Sequence, residues 1–159
     1  MYIRQGTVEE MLSLWYKKHT SEFMADKIRN NRAEFWTIEL DNRLVGELYA
    51  FFELDDKDFA DGKATAYLCA FRIVNDLQGK GLGTRLMLRV LERLSDLGYI
   101  YATIGVEPNE IANVRMYTKL GFTEKVKALS VDPCDVDSEL KPAPCREYYL
   151  LKKKLHTDS

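Results

Sequence analysis

Residues 78–83 read Gln-Gly-Lys-Gly-Leu-Gly, with glycines at 79, 81 and 83. An apolar run (64–74) precedes them and an amphipathic run follows. A strand that ends in a glycine loop and opens a helix is suited to an anion. The first helical N–H groups lack intrahelical partners, and the helix dipole is positive at that end. Glycine removes the Cβ atoms that would hold a phosphate away from the backbone. Lys80 and Arg85 add charge nearby. The chemistry this supports is phosphate or diphosphate binding.

Known phosphate motifs narrow the choice. A nucleotide P-loop needs Gly-x-x-x-x-Gly-Lys-Ser/Thr; here Gly81 follows Gly79-Lys80, and Val74 stands in the first glycine's place, so that motif fails. A dinucleotide fingerprint needs Gly-x-Gly-x-x-Gly. Gly79 and Gly81 match it, Thr84 replaces the third glycine, and Glu107 would serve as the ribose-binding acid. Only one more βα unit follows the motif, which makes a small dinucleotide-binding protein the weaker reading. A plain glycine turn capping a helix is the remaining alternative, and three alternating glycines weigh against it.

The elements that must position this loop are legible in the pattern. Residues 2–5 suit a short strand. Thr7 and Glu10 form a capping box, and Val8, Met11, Leu12 and Trp15 follow at helical spacing. A second helix is expected from about Ser21 to Asn30. Residues 34–40 and 44–53 read as a hairpin turning at Asp41-Asn42-Arg43, and its aromatics Trp36, Tyr49, Phe51 and Phe52 read mostly as core. Asp55–Lys63 is a polar loop whose aspartates fail the calcium-loop pattern, because Asp61 stands where glycine is required. Residues 64–74 form a central strand. After the glycine loop, Leu86, Met87, Val90, Leu91, Leu94 and Leu97 make the inner stripe of a helix that Gly98 ends. A strand over 99–106, a helix over 110–120 ended by Gly121, and strands near 122–131 and 146–154 complete the chain. Hairpins mixed with βα units predict an α/β (α+β) fold of three layers on a mixed sheet.

Composition sets limits. A chain of 159 residues fits one domain, expected to span 1–159. With 46% apolar and 30% charged residues and a net charge of −2, it has the balance of a folded protein without the basic surplus of a nucleic-acid binder. Lys152, Lys153 and Lys154 are read as the solvated end of the last strand. No stretch reaches the ~20 apolar residues of a membrane helix, and no signal peptide is evident at Met1-Tyr2-Ile3-Arg4. Cys69 is read as a buried thiol. Cys134 and Cys145 lie in a loop region where they could approach each other, although unlinked thiols in a reducing cytosol are the expectation. His19 and His156 lie far apart, which argues against a metal.

Two linked motifs then point to a family. Gln78–Gly83 resembles the Gln/Arg-x-x-Gly-x-Gly/Ala motif of the GNAT superfamily of N-acetyltransferases. Asn113-Val114-Arg115-Met116-Tyr117-Thr118-Lys119-Leu120-Gly121-Phe122 is similar to that family's second signature, which commonly ends Leu-Tyr-Glu-Lys-Leu-Gly-Phe. The spacing between them fits a helix, a strand and a helix, and Ile3-Arg4 and Gly46-Glu47 look familial too. The chain departs from the pattern at Asn113, where an alanine is usual. It also lacks the glutamate that some members carry on the strand before the loop; Cys69 and Arg72 are that strand's only polar or reactive groups.

The resemblance implies a centrally splayed sheet in a three-layer α/β/α fold. It implies acetyl-CoA as cosubstrate, no metal, a small-molecule or peptide amine as acceptor, and neither nucleic acid nor membrane as partner. Such proteins often dimerise, which leaves a homodimer open. The pantothenate arm would pair with Phe71 and Ile73 beside Val74. The pyrophosphate would lie on Gln78, Gly79, Lys80, Gly81, Leu82, Gly83 and Thr84, and Asn109 or Asn113 would bond the arm. Tyr117 would serve as the acid toward the departing thiolate, with the Ile73 N–H as oxyanion donor. An alkylamine pKa near ~10.4 calls for a base, with Glu107 first and Glu47 second. From periodicity alone Tyr117 is half-buried packing and Glu107 a turn cap. Two functions remain in view: an acetyltransferase acting by direct attack in a ternary complex, or a non-catalytic CoA-binding sensor on the same fold.

Overall fold

The computed structural model describes residues 1–155. The order is β1 (Tyr2–Gln5), α1 (Val8–Leu14), α2 (Lys18–Arg29), β2 (Ala33–Leu40), β3 (Arg43–Phe51), β4 (Thr65–Ile73), a 3-10 turn (Asn75–Leu77), α3 (Leu82–Asp96), β5 (Tyr101–Val106), α4 (Ile111–Lys119), β6 (Glu124–Val136) and β7 (Pro142–Lys154). The strands form a seven-stranded sheet in the order β1-β2-β3-β4-β5-β7-β6. Only β4 and β5 run parallel; every other pair is antiparallel. The dinucleotide reading fails on this point, since it needs a doubly wound parallel sheet.

Period-two alternation distributes the strand side chains to two cores. On one face Trp36, Ile38, Leu48, Ala50, Ala66 and Leu68 meet Leu86, Met87, Val90 and Leu94 of α3, together with Tyr117 of α4. On the other, Phe35, Tyr49, Phe51 and Tyr67 meet Met11 of α1 and Met24 and Ala25 of α2. The three layers follow. The Thr7–Glu10 capping box closes the start of α1 with reciprocal bonds of 2.9 and 3.1 Å.

One irregularity decides where the site forms. Along β4 against β3, Tyr49 pairs with Cys69, but Glu47 pairs with Arg72. Ala70 and Phe71 thus oppose Leu48 alone, and Ala70 takes a left-handed φ of 53°. This is a β-bulge. It inverts the alternation: Ala66 and Leu68 face α3 before it, Phe71 and Ile73 after it.

Several expectations need correction. β6 and β7 extend to Val136 and Pro142, well past the expected 131 and 146. Prolines obscured this in the sequence. Pro133 lies on the sheet's outermost strand, and Pro142 and Pro144 lie beyond Tyr149, where the β5 pairing of β7 stops; a missing donor costs little in those places. Cys134 and Cys145 are therefore strand residues. Cys134 is buried and shares the lining of a cavity with Cys69, whereas Cys145 is exposed. Cys69 itself is only partly buried. Trp15 is the extended C-cap of α1, and Leu97 is the 44% exposed C-cap of α3. Phe59, in the loop read as polar, is buried. Lys152 lies over the Tyr101 ring at 4.2 Å. His156 lies outside the described residues.

Ala70→Val sets a β-branched residue at a left-handed φ and should lower stability by about 1–2 kcal/mol. Ala70→Gly should keep wild-type stability or exceed it. Urea unfolding of both variants checks this, and equal midpoints for Val and Gly would contradict it.

Candidate active site

The parallel ladder of β4 and β5 runs from Thr65↔Tyr101 to Leu68↔Ile104 and stops. Beyond it, β4 stays with β3 through Arg72 and Ile73, while β5 stays with β7 through Gly105 and Val106. The sheet is split between them. The Val74 N–H bonds the Val45 carbonyl at 3.0 Å, so strand alternation turns the backbone of Phe71 and Ile73 toward the gap. Edge groups left this way can take an extended ligand as an added strand.

The glycine loop stands at one end of the gap. The amides of Gly79 through Thr84 have no hydrogen-bond acceptor among the described residues; the first helical bond runs from the Arg85 N–H to the Gly81 carbonyl at 3.2 Å. Gly79 and Gly81 have φ of 78° and 80°, and an added Cβ would meet nothing within 4 Å at either. The left-handed backbone demands these glycines, and the space above them is open to a ligand. Gly83 differs: its Cβ would lie 2.7 Å from Cζ of Phe71, so this glycine serves helix–strand packing.

Two cavities flank the gap. One, of about 570 Å³, is lined by Phe71, Ile73, Gln78, Gly79, Gly81, Leu82, Gly83, Thr84 and Asn113, with Ala112 and Met116. The other, of about 350 Å³, is lined by Cys69, Ala70, Phe71, Gly105, Glu107, Glu110, Asn113 and Tyr117, with Asp132, Cys145, Arg146 and Tyr148 of the β6–β7 hairpin. Phe71 and Asn113 belong to both.

Most of the expected residues therefore converge, with exceptions. Val74, Lys80 and Asn109 line neither cavity. The Val74 amide is committed to β3, and Lys80 and Asn109 are exposed. The Gln78 side chain turns back to donate to the Ile73 carbonyl at 3.0 Å, so it braces the turn. Glu47 lines neither cavity; it is buried, accepting from the Tyr49 hydroxyl at 3.0 Å and from Nε of Arg72 at 2.7 Å. Glu107 lines the smaller cavity beside Tyr117, while its N–H donates to Glu110, whose second oxygen accepts from Asn113 Nδ2. The acidic loop is largely engaged: Asp56 and Asp58 hold Lys127 at 2.6 and 3.0 Å, and Asp61 accepts three backbone N–H groups.

Tyr117 is 4% exposed, and its ring lies against Phe71 and Phe122. Burial, then the nearby Glu110, push its pKa above the ordinary phenol value. The hydroxyl therefore stays protonated at neutral pH. Sequence reasoning missed Asp132 and Cys145 because 132–145 was read as loop, and it gave Arg146 and Tyr148 a strand but no place at the site; the proline-punctuated alternation of 131–145 was the only signal.

The fold is shared with solved acetyltransferases. The ribosomal-protein-S18-alanine N-acetyltransferase from Escherichia coli superimposes with a TM-score of 0.71 at 13% identity, over 99% of this chain and 96% of that one. A GNAT family acetyltransferase from Elizabethkingia anophelis with acetyl-CoA bound gives 0.67 at 17% identity, over 97% of each. An IAA acetyltransferase from Bacillus cereus gives 0.64 at 18% identity, over 97% and 99%. No curated protein matches the sequence at a significant level. The Acetyltransferase (GNAT) family profile matches residues 3–122, and the chain belongs to that family. Among the described residues no cluster of His, Cys, Asp and Glu is arranged for a metal, and no helix is long and apolar enough to cross a membrane.

Gly81→Val should remove the stabilisation that acetyl-CoA confers, since it strains the left-handed turn and fills the space over the free amides. A ligand at a hundredfold excess over its Kd should stabilise the wild-type protein by about 2.7 kcal/mol. Thermal unfolding with and without ligand checks this. A folded Gly81→Val protein stabilised as well as wild type would refute the loop's role.

Proposed function

We propose that this protein transfers an acetyl group from acetyl-CoA to a primary amine by direct attack within a ternary complex. The observation that carries this is the split between β4 and β5, with the free amides of Gly79–Thr84 at one end and Tyr117, buried through its ring, in the adjoining cavity. Acetyl-CoA is the ligand named for the Elizabethkingia relative and for a Salmonella typhimurium structure that shares the fold. The open volume and free donors here suit the same cosubstrate.

The residues divide the work as follows. The free amides meet the pyrophosphate, as a helix N-terminus can. Phe71 and Ile73 offer backbone groups to the pantothenate arm. Glu107 takes a proton from the incoming ammonium, freeing the lone pair that attacks the thioester carbonyl. The Ile73 N–H faces the oxygen on which charge develops. As the C–S bond breaks, the Tyr117 hydroxyl meets the departing sulfur. Burial keeps that hydroxyl protonated, so it donates a hydrogen bond to the thiolate. The second proton, shed by the attacking nitrogen as the amide forms, neutralises the sulfur through this bond, and Tyr117 ends the cycle as a phenol. Acceptors named for structures sharing the fold include aminoglycosides and spermidine, which makes a small cationic amine a reasonable class to test.

The second reading, a CoA-binding sensor without turnover, is favoured by one observation: β4 carries no carboxylate into the gap, and Glu47 is held by Arg72. Tyr117→Phe separates the two. An enzyme should lose about a hundredfold in kcat while keeping its acetyl-CoA affinity. Unchanged kcat would remove Tyr117 from the mechanism, and the absence of acetyl transfer by the wild-type protein over a broad amine panel would favour the sensor.

A further inference from the structure

The β6–β7 hairpin brings a carboxylate to the gap that the mechanism above does not use. Asp132 lines the 350 Å³ cavity that holds Tyr117. It also lines a neighbouring cavity of about 180 Å³, bounded by Trp15, Lys17, Thr20 and Met24. Cys69 and Ala70, where the bulge of β4 begins, are common to both cavities. Asp132 thus stands where the two meet, on the side of the sheet away from the glycine loop.

Its bonding is incomplete. One oxygen accepts from the Cys134 N–H at 2.9 Å, and the Asp135 N–H also favours its charged form. Lys17 acts on it only at a distance, and no side-chain donor or cation among the described residues bonds or ion-pairs with it. The nearest acid, Asp135, is already engaged by Lys17 at 3.1 Å and by the Thr20 hydroxyl at 2.7 Å. Arg146, also at the cavity, is exposed and makes no ion pair with Asp132. A partly buried carboxylate with no directly bonded cation is costly, and an arriving ammonium would relieve that cost.

We infer that Asp132 selects the acceptor, binding a second positive charge on an amine whose reacting nitrogen lies at the Tyr117 end of the same cavity. This rests on the acetyltransferase reading above. The substrate class it names is a diamine or longer polycationic amine. One cationic group enters beside Glu107 and Tyr117, and the other is held by Asp132 at the hairpin. Burial and the nearby Asp135 push the Asp132 pKa up, the condition that a bound ammonium relieves. An acceptor with a carboxylate in that position would be repelled.

The test compares kcat/KM, at saturating acetyl-CoA, for a series of α,ω-diaminoalkanes, each against the monoamine of the same length. The wild-type protein should prefer the best diamine by about tenfold or more, the effect of one charged hydrogen bond. Asp132→Asn keeps the acceptor for the Cys134 N–H and removes the charge; it should bring that ratio close to one, mainly by raising the diamine KM. Asp132→Glu should restore part of the preference. Thermal stabilisation by acetyl-CoA, measured in parallel, reports that each variant is folded and binds the cosubstrate. No preference in the wild-type protein, or a preference that survives in Asp132→Asn, overturns the inference. A wild-type protein that is stabilised by acetyl-CoA yet acetylates neither class of amine overturns the transfer reading itself, and the inference with it.

Discussion

The parallel ladder between β4 and β5 ends at Leu68 and Ile104, and past that pair the backbone facing the gap has no partner strand. A single extra residue in β4 produces this. The bulge at Ala70–Phe71 redirects the strand so that it follows β3, while β5 follows β7. Because the bulge also inverts the side-chain alternation, Phe71 and Ile73 face α3 and α4, and Cys69 and Ala70 face the other layer. The gap therefore has two different walls. One offers an apolar floor beside the glycine loop; the other opens toward the β6–β7 hairpin.

The flanking elements make the split tolerable. Antiparallel pairing on its outer sides holds each half of the sheet: β4 against β3 and β5 against β7. Gly83 permits α3 to lie within contact of Phe71, which sets the helix N-terminus against the end of the gap. Gln78 braces the turn by donating to the Ile73 carbonyl. The loop's open amides and the strand's open edge are thus fixed relative to one another before any ligand arrives, and preorganised donors of this kind suit a charged, extended cosubstrate.

Much of this was legible in the sequence. The glycine loop, the αL stops at Gly98 and Gly121, the capping box at Thr7, and the order of elements all depend on local backbone rules, which sequence expresses directly. The glycines themselves were harder to read. Gly79 and Gly81 meet a backbone need, whereas Gly83 meets a packing need that only the neighbouring strand reveals. Glu47 resembled a base and is instead buried against Tyr49 and Arg72, because its environment comes from register with β4. The two strands of the hairpin were expected, but not their extension over 132–145 nor their place beside the cavity. Pro133, Pro142 and Pro144 look like loop punctuation, yet they occupy stretches of strand with a neighbour on only one side. Asp132, Cys145 and Tyr148 reach the cavity through that long-range pairing.

The claim on which the rest depends is that the split in the sheet receives acetyl-CoA. Amide chemical shifts followed by NMR during an acetyl-CoA titration test it residue by residue. The account predicts large shifts at Gly79, Gly81, Gly83 and Thr84, and at Phe71 and Ile73 along the strand edge, with small ones at the hairpin turn of Asp41 and Asn42. Perturbation confined to another surface, or saturation without movement of Phe71 and Ile73, would contradict it.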